Sequence, residues 1–437
     1  MSRPQHFGWF LARGFGPHGW GHPYLDWNYR WTEPRLYQES ARALEQAGFD
    51  LLIIEDAPSL GSADTIDLRV RHAFGGPKHD PLLLAPYMFA ATEHLGVVPT
   101  VNPAAYLPYT AARQFASLQH LSGDRLGLNV VTDTGSARHF GTAPPLGHDA
   151  AYDRAEEWLG GIRSLWRSWG DGALLEDVAG GRYADGSRML PTAHRGEYFS
   201  FDGPLNAVPF HEGDPIIVSP GGSGRGLGFA GANSDVQLAL APLDEKSIRA
   251  YRAKIHAAAE ARGRSASDIS VLFAIQPVLV SSAEEADRLV AASRNPDEET
   301  LRTIARRQSS DLETDLTALD LDAPLDLRVF ADHVSHGSIR RLIGDHAPNT
   351  PLREILGAQA RLGRLRDGSG FVGTAGELAD RIEQLGDWGN DGVLLWGDLH
   401  PVTVHRMLDE LVPILRRRGI LRDEYDQGGL RANLRSF

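Results

Sequence analysis

The sequence predicts an α/β chain whose strands close into a (β/α)8 barrel with insertions. Short apolar, β-branched-rich runs recur along the whole chain, amphipathic stretches with recognisable ends separate them, and the runs number about eight. The runs lack clean apolar–polar alternation, as expected where a parallel sheet is buried on both faces. Eight strands are the number that closes a barrel. An open doubly wound sheet with insertions is the alternative that periodicity leaves.

The predicted strands are residues 7–11, 50–54, 96–101, 126–131, 216–219, 236–239, 271–280 and 392–396. Helices fill the intervals. Pro34 opens a run with Leu36, Tyr37, Leu44 and Ala47 on one face, and Gly48 is placed to end it. Ala155, Trp158, Leu159, Ile162, Leu165, Trp166 and Trp169 form a stripe of helical period. Thr374 with Glu377, and Ser282 with Glu285, read as capping boxes. Leu408, Leu411, Ile414 and Leu415 give a late helix its inner face.

No linker marks a boundary, so residues 1–437 are expected to form one barrel domain with excursions at about 56–90, 170–214 and 281–370. Excursions that follow strands lie on the catalytic face of a barrel. Residues 58–79 and 309–344 are therefore expected to be lids.

Composition narrows the partners. Hydrophobic residues make up 42% and charged residues 23%, ordinary for a globular chain with a large core. A formal charge of −13 argues against nucleic acid or an anionic membrane surface as a partner. The absence of cysteine removes disulfides, thiolate metal sites and cysteine nucleophiles, and fits a reducing compartment. With no secretory pattern at the amino terminus and no apolar run of spanning length, a cytoplasmic protein is expected.

The most informative local feature is D-P-I-I-V-S-P-G-G-S-G-R-G-L-G-F-A-G, residues 214–231. A strand that ends in Gly221, Gly222, Ser223, Gly224 and Arg225 offers backbone N–H groups and a hydroxyl to a phosphate, and a following helix would aim its positive end there. A glycine-rich turn without a ligand is the competing reading. The G-x-G-x-x-G at Gly226, Gly228 and Gly231 starts too far past the strand for a dinucleotide fingerprint, and only Asp244 stands at ribose distance.

Asp56 closes the run L-L-I-I-E-D, where a carboxylate would face a pocket or simply serve a turn. Thr100 and Asn129 lie in apolar strands, and an asparagine there needs structural partners or a ligand. His18, Trp20 and His22 follow the first strand. Packing Trp20 over a pocket, with His18 and Trp20 touching substrate, is expected ahead of a metal site. A third metal ligand could only come from residues such as His72, His79 or Asp80.

The block Y-L-P-Y-T-A-A-R-Q-F-A-S-L-Q-H-L-S-G-D-R-L-G-L-N-V-V-T, residues 106–132, resembles the signature of the bacterial-luciferase-like flavin monooxygenases, in the group acting on nitrilotriacetate, EDTA and dibenzothiophene sulfone. F-D-L-L-I-I-E-D, H-F-G, H-D-A-A-Y-D-R-A-E-E-W, L-W-R-S-W and the tail V-P-I-L-R-R-R-G-I-L-R-D-E-Y-D with G-L-R-A-N-L are similar to the same group.

The resemblance implies a TIM barrel that holds reduced FMN (FMNH2) delivered by a separate NAD(P)H:flavin reductase, with O2 as co-substrate. It also implies C–N or C–S bond cleavage in a small organic molecule, and a homodimer or homotetramer. By position, Asp56, Thr100, Asn129, Tyr152, Gly222 and Ser223 match flavin contacts of the family. Asn129 and Thr100 would meet the ring and the oxygen, and Tyr152 and Ser223 the phosphate.

Three single positions and one segment depart from the family pattern. Ala151 stands for an arginine, Leu128 for a tryptophan, Asp124 for a glycine, and Ser219–Ser223 for Gln-Ala-Gly-Ser-Ser. Arg225 is expected to replace the lost charge. Another flavin or deazaflavin oxidoreductase on the same barrel, or a metal-dependent barrel hydrolase using His18, His22 and Asp56, are the alternative functions.

Overall fold

The computed structural model describes residues 3–11, 30–61, 63, 65–74, 76–132, 135–141, 144–330, 334, 336–347, 349–368 and 370–437. His18, Trp20 and His22 lie outside the described residues.

Eight parallel strands close on themselves: β1 (His6–Leu11), β2 (Leu51–Ile54), β3 (Gly96–Val101), β4 (Gly127–Val130), β5 (Ile216–Ser219), β6 (Val236–Ala239), β7 (Ser270–Ile275) and β8 (Gly392–Gly397). Each neighbours the next in sequence, and β8 pairs with β1 from His6↔Gly392 to Leu11↔Gly397. The open sheet is thereby excluded. The seventh predicted strand, residues 271–280, divides: Ser270–Ile275 stays in the barrel, and Val278–Leu279 leaves it to pair with Val372–Gly373.

The helices packed outside are α1 (Pro34–Ala47), α2 (Pro81–Phe89), α3 (Pro108–Leu121), α4 (His148–Trp166), α5 (Gly224–Asn233), α6 (Glu245–Glu260), α7 (Ala375–Asp387) and α8 (Pro401–Arg417). α1 begins on Pro34 and ends where Gly48 turns left-handed at φ 91°, a conformation glycine adopts without steric cost. The Thr374–Glu377 capping box is complete at the start of α7. At Ser282 only half of the box forms, because the Glu285 carboxylate accepts from Ser281 N instead of closing on Ser282. α4 buries the predicted stripe from Ala155 to Trp166. Trp169 lies past its end and donates its indole N–H to Leu205 O.

Side chains divide between two apolar layers. Phe10, Leu51, Ile53, Val98, Ile216, Val218, Val236, Leu238, Leu272 and Leu394 fill the barrel interior, joined by Leu430 and Leu434 from the tail. A larger cluster lies between strands and helices. The tail thus forms the barrel's floor. It is fixed there by a buried ion pair, Arg422 Nη2 to Asp50 Oδ1 at 2.6 Å, while Asp50 Oδ2 accepts from Phe7 N at 2.8 Å. Gly429 N–H meets the Glu212 carboxylate, and Leu430 N donates to Asp124 O.

Of the three excursions, residues 56–80 follow β2 and residues 276–371 follow β7, so both belong to the face where strands end. Residues 167–215 follow helix α4 instead, which sets their departure at the opposite end of the barrel. Their hairpin is pinned to α4 by the Glu157 carboxylate, which accepts from the N–H groups of Glu197, Tyr198 and Phe199 and lies 2.9 Å from His194 Nε2.

Candidate active site

At the carboxyl ends of β3 and β4, Thr100 and Asn129 occupy the same register position on adjacent strands. Asn129 Nδ2 donates to Thr100 Oγ1 at 2.8 Å, and both residues are buried. Asn129 Oδ1 is buried too, yet it has no hydrogen-bond partner among the described residues. A buried amide oxygen without a donor costs about 1–3 kcal/mol, which makes it an acceptor waiting for a ligand N–H or water. Strand alternation produces the placement. Leu128 and Val130 face the helices, so Asn129 faces the barrel axis.

Above this pair opens a cavity of about 250 Å³ lined by Asp56, Pro58, Asp80, Thr100, Asn102, Ala105, Tyr106, Val131 and Phe140. A second space, about 340 Å³, adjoins it across Asp56, Pro58 and Asp80 and reaches Leu60, Lys78 and His79. Asp80 caps α2, accepting from Leu82 N at 2.9 Å and Leu83 N at 3.1 Å. Lys78 Nζ is held by Glu55 Oε2 at 2.5 Å. Burial pushes the Asp56 carboxyl up to about 7; Lys78 pulls it down, Glu55 and Asp80 push it further up, and an N–H of Ala57 opposes them. Burial also raises the Tyr106 phenol, aided by the charges of Asp80 and Asp56.

The two excursions on this face meet beside the cavity. Arg69 Nη2 contacts Glu313 Oε1 at 2.8 Å, and Thr65 Oγ1 is 3.4 Å from Oε2 of the same carboxylate.

The glycine loop after β5 has the shape of a cradle. Ser223 caps α5, its Oγ accepting from Gly226 N at 3.0 Å. A Cβ on Gly221 would stand 2.7 Å from Tyr152 Oη and 2.9 Å from Gly226 Cα, so the tyrosine and the loop fit only around glycine. A Cβ on Gly222 or Gly224 would meet nothing within 4 Å. The loop is backed by a buried amide: Gln237 Nε2 donates to Gly221 O at 3.0 Å and to Tyr251 Oη at 2.9 Å, while its Oε1 accepts from Ser219 Oγ. The amide that steadies the loop thus comes from β6.

Arg225 starts the same helix that Ser223 caps. Its guanidinium pairs with Asp153 at 2.7 Å and Glu156 at 2.9 Å and sits over the Tyr152 ring. Two carboxylates already balance its charge. His148, which residue-type reasoning passed over, brings Nε2 to 3.3 Å from Ser223 Oγ and its ring edge against Tyr152. Its signal was position, four residues ahead of Tyr152 on one helix face.

Other motif residues prove to be structural. Gly226, Gly228 and Gly231 lie within α5, and Asp244 caps α6 by accepting from Ser247 N. Arg125 of the signature block is buried and donates to Thr92 Oγ1, Ser122 O and Phe89 O, tying α2 to the end of α3. Asp124 adopts φ 59°, the left-handed region, so a glycine there would be relaxed where aspartate is strained. Ala151 is packed inside, leaving no cation beside Tyr152 from that position. Among the described residues, no three of His, Asp or Glu gather in a way that would hold a metal ion, and no helix is long and apolar enough to cross a membrane.

A family profile for luciferase-like monooxygenases matches residues 6–392. The chain is 33% identical to a dibenzothiophene-sulfone monooxygenase of Rhodococcus erythropolis (strain XP), covering 99% of this chain and 97% of that protein. It is 31% identical to nitrilotriacetate monooxygenase component A of Aminobacter aminovorans, covering 97% and 95%. Among solved structures it is similar to a riboflavin lyase with modified FMN and the substrate riboflavin, with a TM-score of 0.80, 26% identity and coverage of 100% of this chain and 96% of that one.

Proposed function

The chain belongs to the luciferase-like monooxygenase family and is an enzyme of that class; from that premise we propose that it uses FMNH2 and O2 to oxygenate a small organic molecule, with cleavage of a C–N or C–S bond. The observation that carries the reading is the orphaned Oδ1 of Asn129 beside Thr100, at the mouth of a barrel whose next strand ends in an open glycine cradle. A reduced isoalloxazine offers N–H donors to such an acceptor, and a phosphate suits backbone N–H groups at a helix start.

Asn129, Thr100 and Asp56 would border the ring. Tyr152, Gly221, Gly222, Ser223 and Gly224 would hold the phosphate, with Arg225 over the Tyr152 ring and the His148 ring beside Ser223. When bound, reduced flavin supplies the two electrons with which one atom of O2 enters the substrate and the other leaves as water. The chain's own part is to orient the reactants and exclude bulk water, with Tyr106, Phe140 and Val131 as walls.

A structure of a similar protein with modified FMN supports the cofactor, and a relative named as a "component A" supports a separate flavin reductase. The sulfone and amine substrates in the relatives' names support C–S or C–N chemistry. A cysteine-free sequence supports a reducing, cytoplasmic setting, and we assign a homodimer or homotetramer by analogy with the family.

The test combines the protein with a flavin reductase, FMN, isotope-labelled O2 and a panel of C–N and C–S substrates. Label is expected in a product. Substrate turnover without label would instead indicate hydride transfer on the same barrel, and turnover without flavin would indicate a hydrolase.

A further inference from the structure

The charges around the cavity are unevenly matched. Among the described residues lining its two spaces, the acidic and basic side chains are Asp56, Asp80, Lys78 and His79, whose ring Nε2 is taken by Trp31 O at 2.9 Å. Lys78 is already neutralised by Glu55 at 2.5 Å. Asp80 is committed to the backbone of α2 through Leu82 and Leu83. Asp56 borders both spaces, and among the described residues it has neither an ion-pair partner within 4.0 Å nor a helix start to cap. Its elevation to about 7 is the behaviour of a buried carboxyl whose nearest cation is engaged elsewhere.

An anionic ligand entering here would meet a carboxylate-lined wall with no arginine among its described residues. A carboxylate or sulfonate would lose its hydration and gain no counter-charge, which is costly in a confined site. A protonated amine would gain one at Asp56. Its carbon skeleton would be received by Tyr106 and Phe140, whose ring faces also favour cations.

We propose that this pocket selects a cationic organic amine, with Asp56 as its counter-ion and specificity-determining residue. The inference rests on reading the cavity as the substrate site. It sets the chain apart from a relative named for nitrilotriacetate, a tricarboxylate, and points the chemistry toward C–N rather than C–S bonds.

The test is binding, measured by saturation-transfer NMR at about pH 8 with FMN at saturation, using three probes of one skeleton: benzylammonium, benzyl alcohol and phenylacetate. Benzylammonium is expected to bind at least about tenfold more tightly than phenylacetate. In Asp56→Asn that preference should vanish while benzyl alcohol affinity holds, with a melting curve verifying the fold. Equal or tighter phenylacetate binding overturns the proposal, as does a preference that survives Asp56→Asn or a lack of benzylammonium binding up to about 10 mM. The measurement needs no turnover. A failed labelled-oxygen assay with intact cation preference would overturn the monooxygenase reading alone, and the converse would overturn only the selectivity.

Discussion

Asn129 gives its amide N–H to Thr100 and keeps its oxygen for something else. The 2.8 Å bond from Nδ2 fixes the rotamer, so Oδ1 stays aimed away from Thr100 with no partner among the described residues. Asn129→Ala should therefore damage the reaction more than cofactor retention. Labelled-oxygen incorporation is expected to fall about 100-fold, with FMN affinity changed by less than about tenfold. Normal coupled turnover in the variant would remove Asn129 from the catalytic role.

Replacing Gly221 should disturb the phosphate end selectively. In Gly221→Ala the new methyl collides with Tyr152 Oη and with backbone at Gly226, so the loop must shift. FMN affinity should drop about 10-fold or more, while riboflavin, which lacks the phosphate, should bind nearly as before. Gly222→Ala meets open space and serves as the control. Equal losses for the two flavins would show that the loop does not hold the phosphate.

Asp56 makes stability depend on pH in a defined direction. Its carboxyl is raised from 3.8 to about 7 in the fold. Below the unfolded value both states are protonated and nothing is lost. Between about 4 and 7 the unfolded chain ionises first, so native stability falls as pH rises, and the penalty is complete above 7. Asp56→Asn should consequently match the parent near pH 4 and exceed it at pH 8, by on the order of 1–3 kcal/mol. Denaturant midpoints at both pH values would reveal this, and an unchanged difference between them would refute it.

Breaking the floor's ion pair should be severe. Arg422 and Asp50 are both buried, and the guanidinium also donates to Asn433 O and lies over the rings of Tyr425 and Phe437. Arg422→Met leaves the buried Asp50 carboxylate with only Phe7 N–H and the His6 ring beside it and should cost about 3–5 kcal/mol. Adding Asp50→Asn should recover part of that loss. A urea titration of the single and double variants reads both effects, and independent additive losses would contradict the coupling.

All eight barrel strands were legible from their apolar runs, because a strand covered on both faces leaves an unbroken hydrophobic signature. Boundaries slipped where the chain changes sheets, as at Ile275, since hydropathy does not record pairing partners. Thr100 and Asn129 could be singled out because polar residues in apolar strands need a reason. Their mutual bond could not, because it depends on the register of β3 against β4. The ion pairs of Arg225 were not legible either, because a charge near a loop says nothing of the carboxylates a neighbouring helix presents. His148 and Gln237 reach the cradle from α4 and β6, contacts that no local motif encodes.

Leu430 and Leu434 close the end of the barrel where its strands begin. Asn129 and Thr100 lie almost out of solvent's reach, at 3% and 4% exposure, beneath the more open Asp56. A ligand group that settles against the deeper pair lies farther from solvent than one that rests at Asp56. The carboxyl-terminal segment, which supplies no residue to either cavity's lining, thereby decides which end of the barrel a ligand meets.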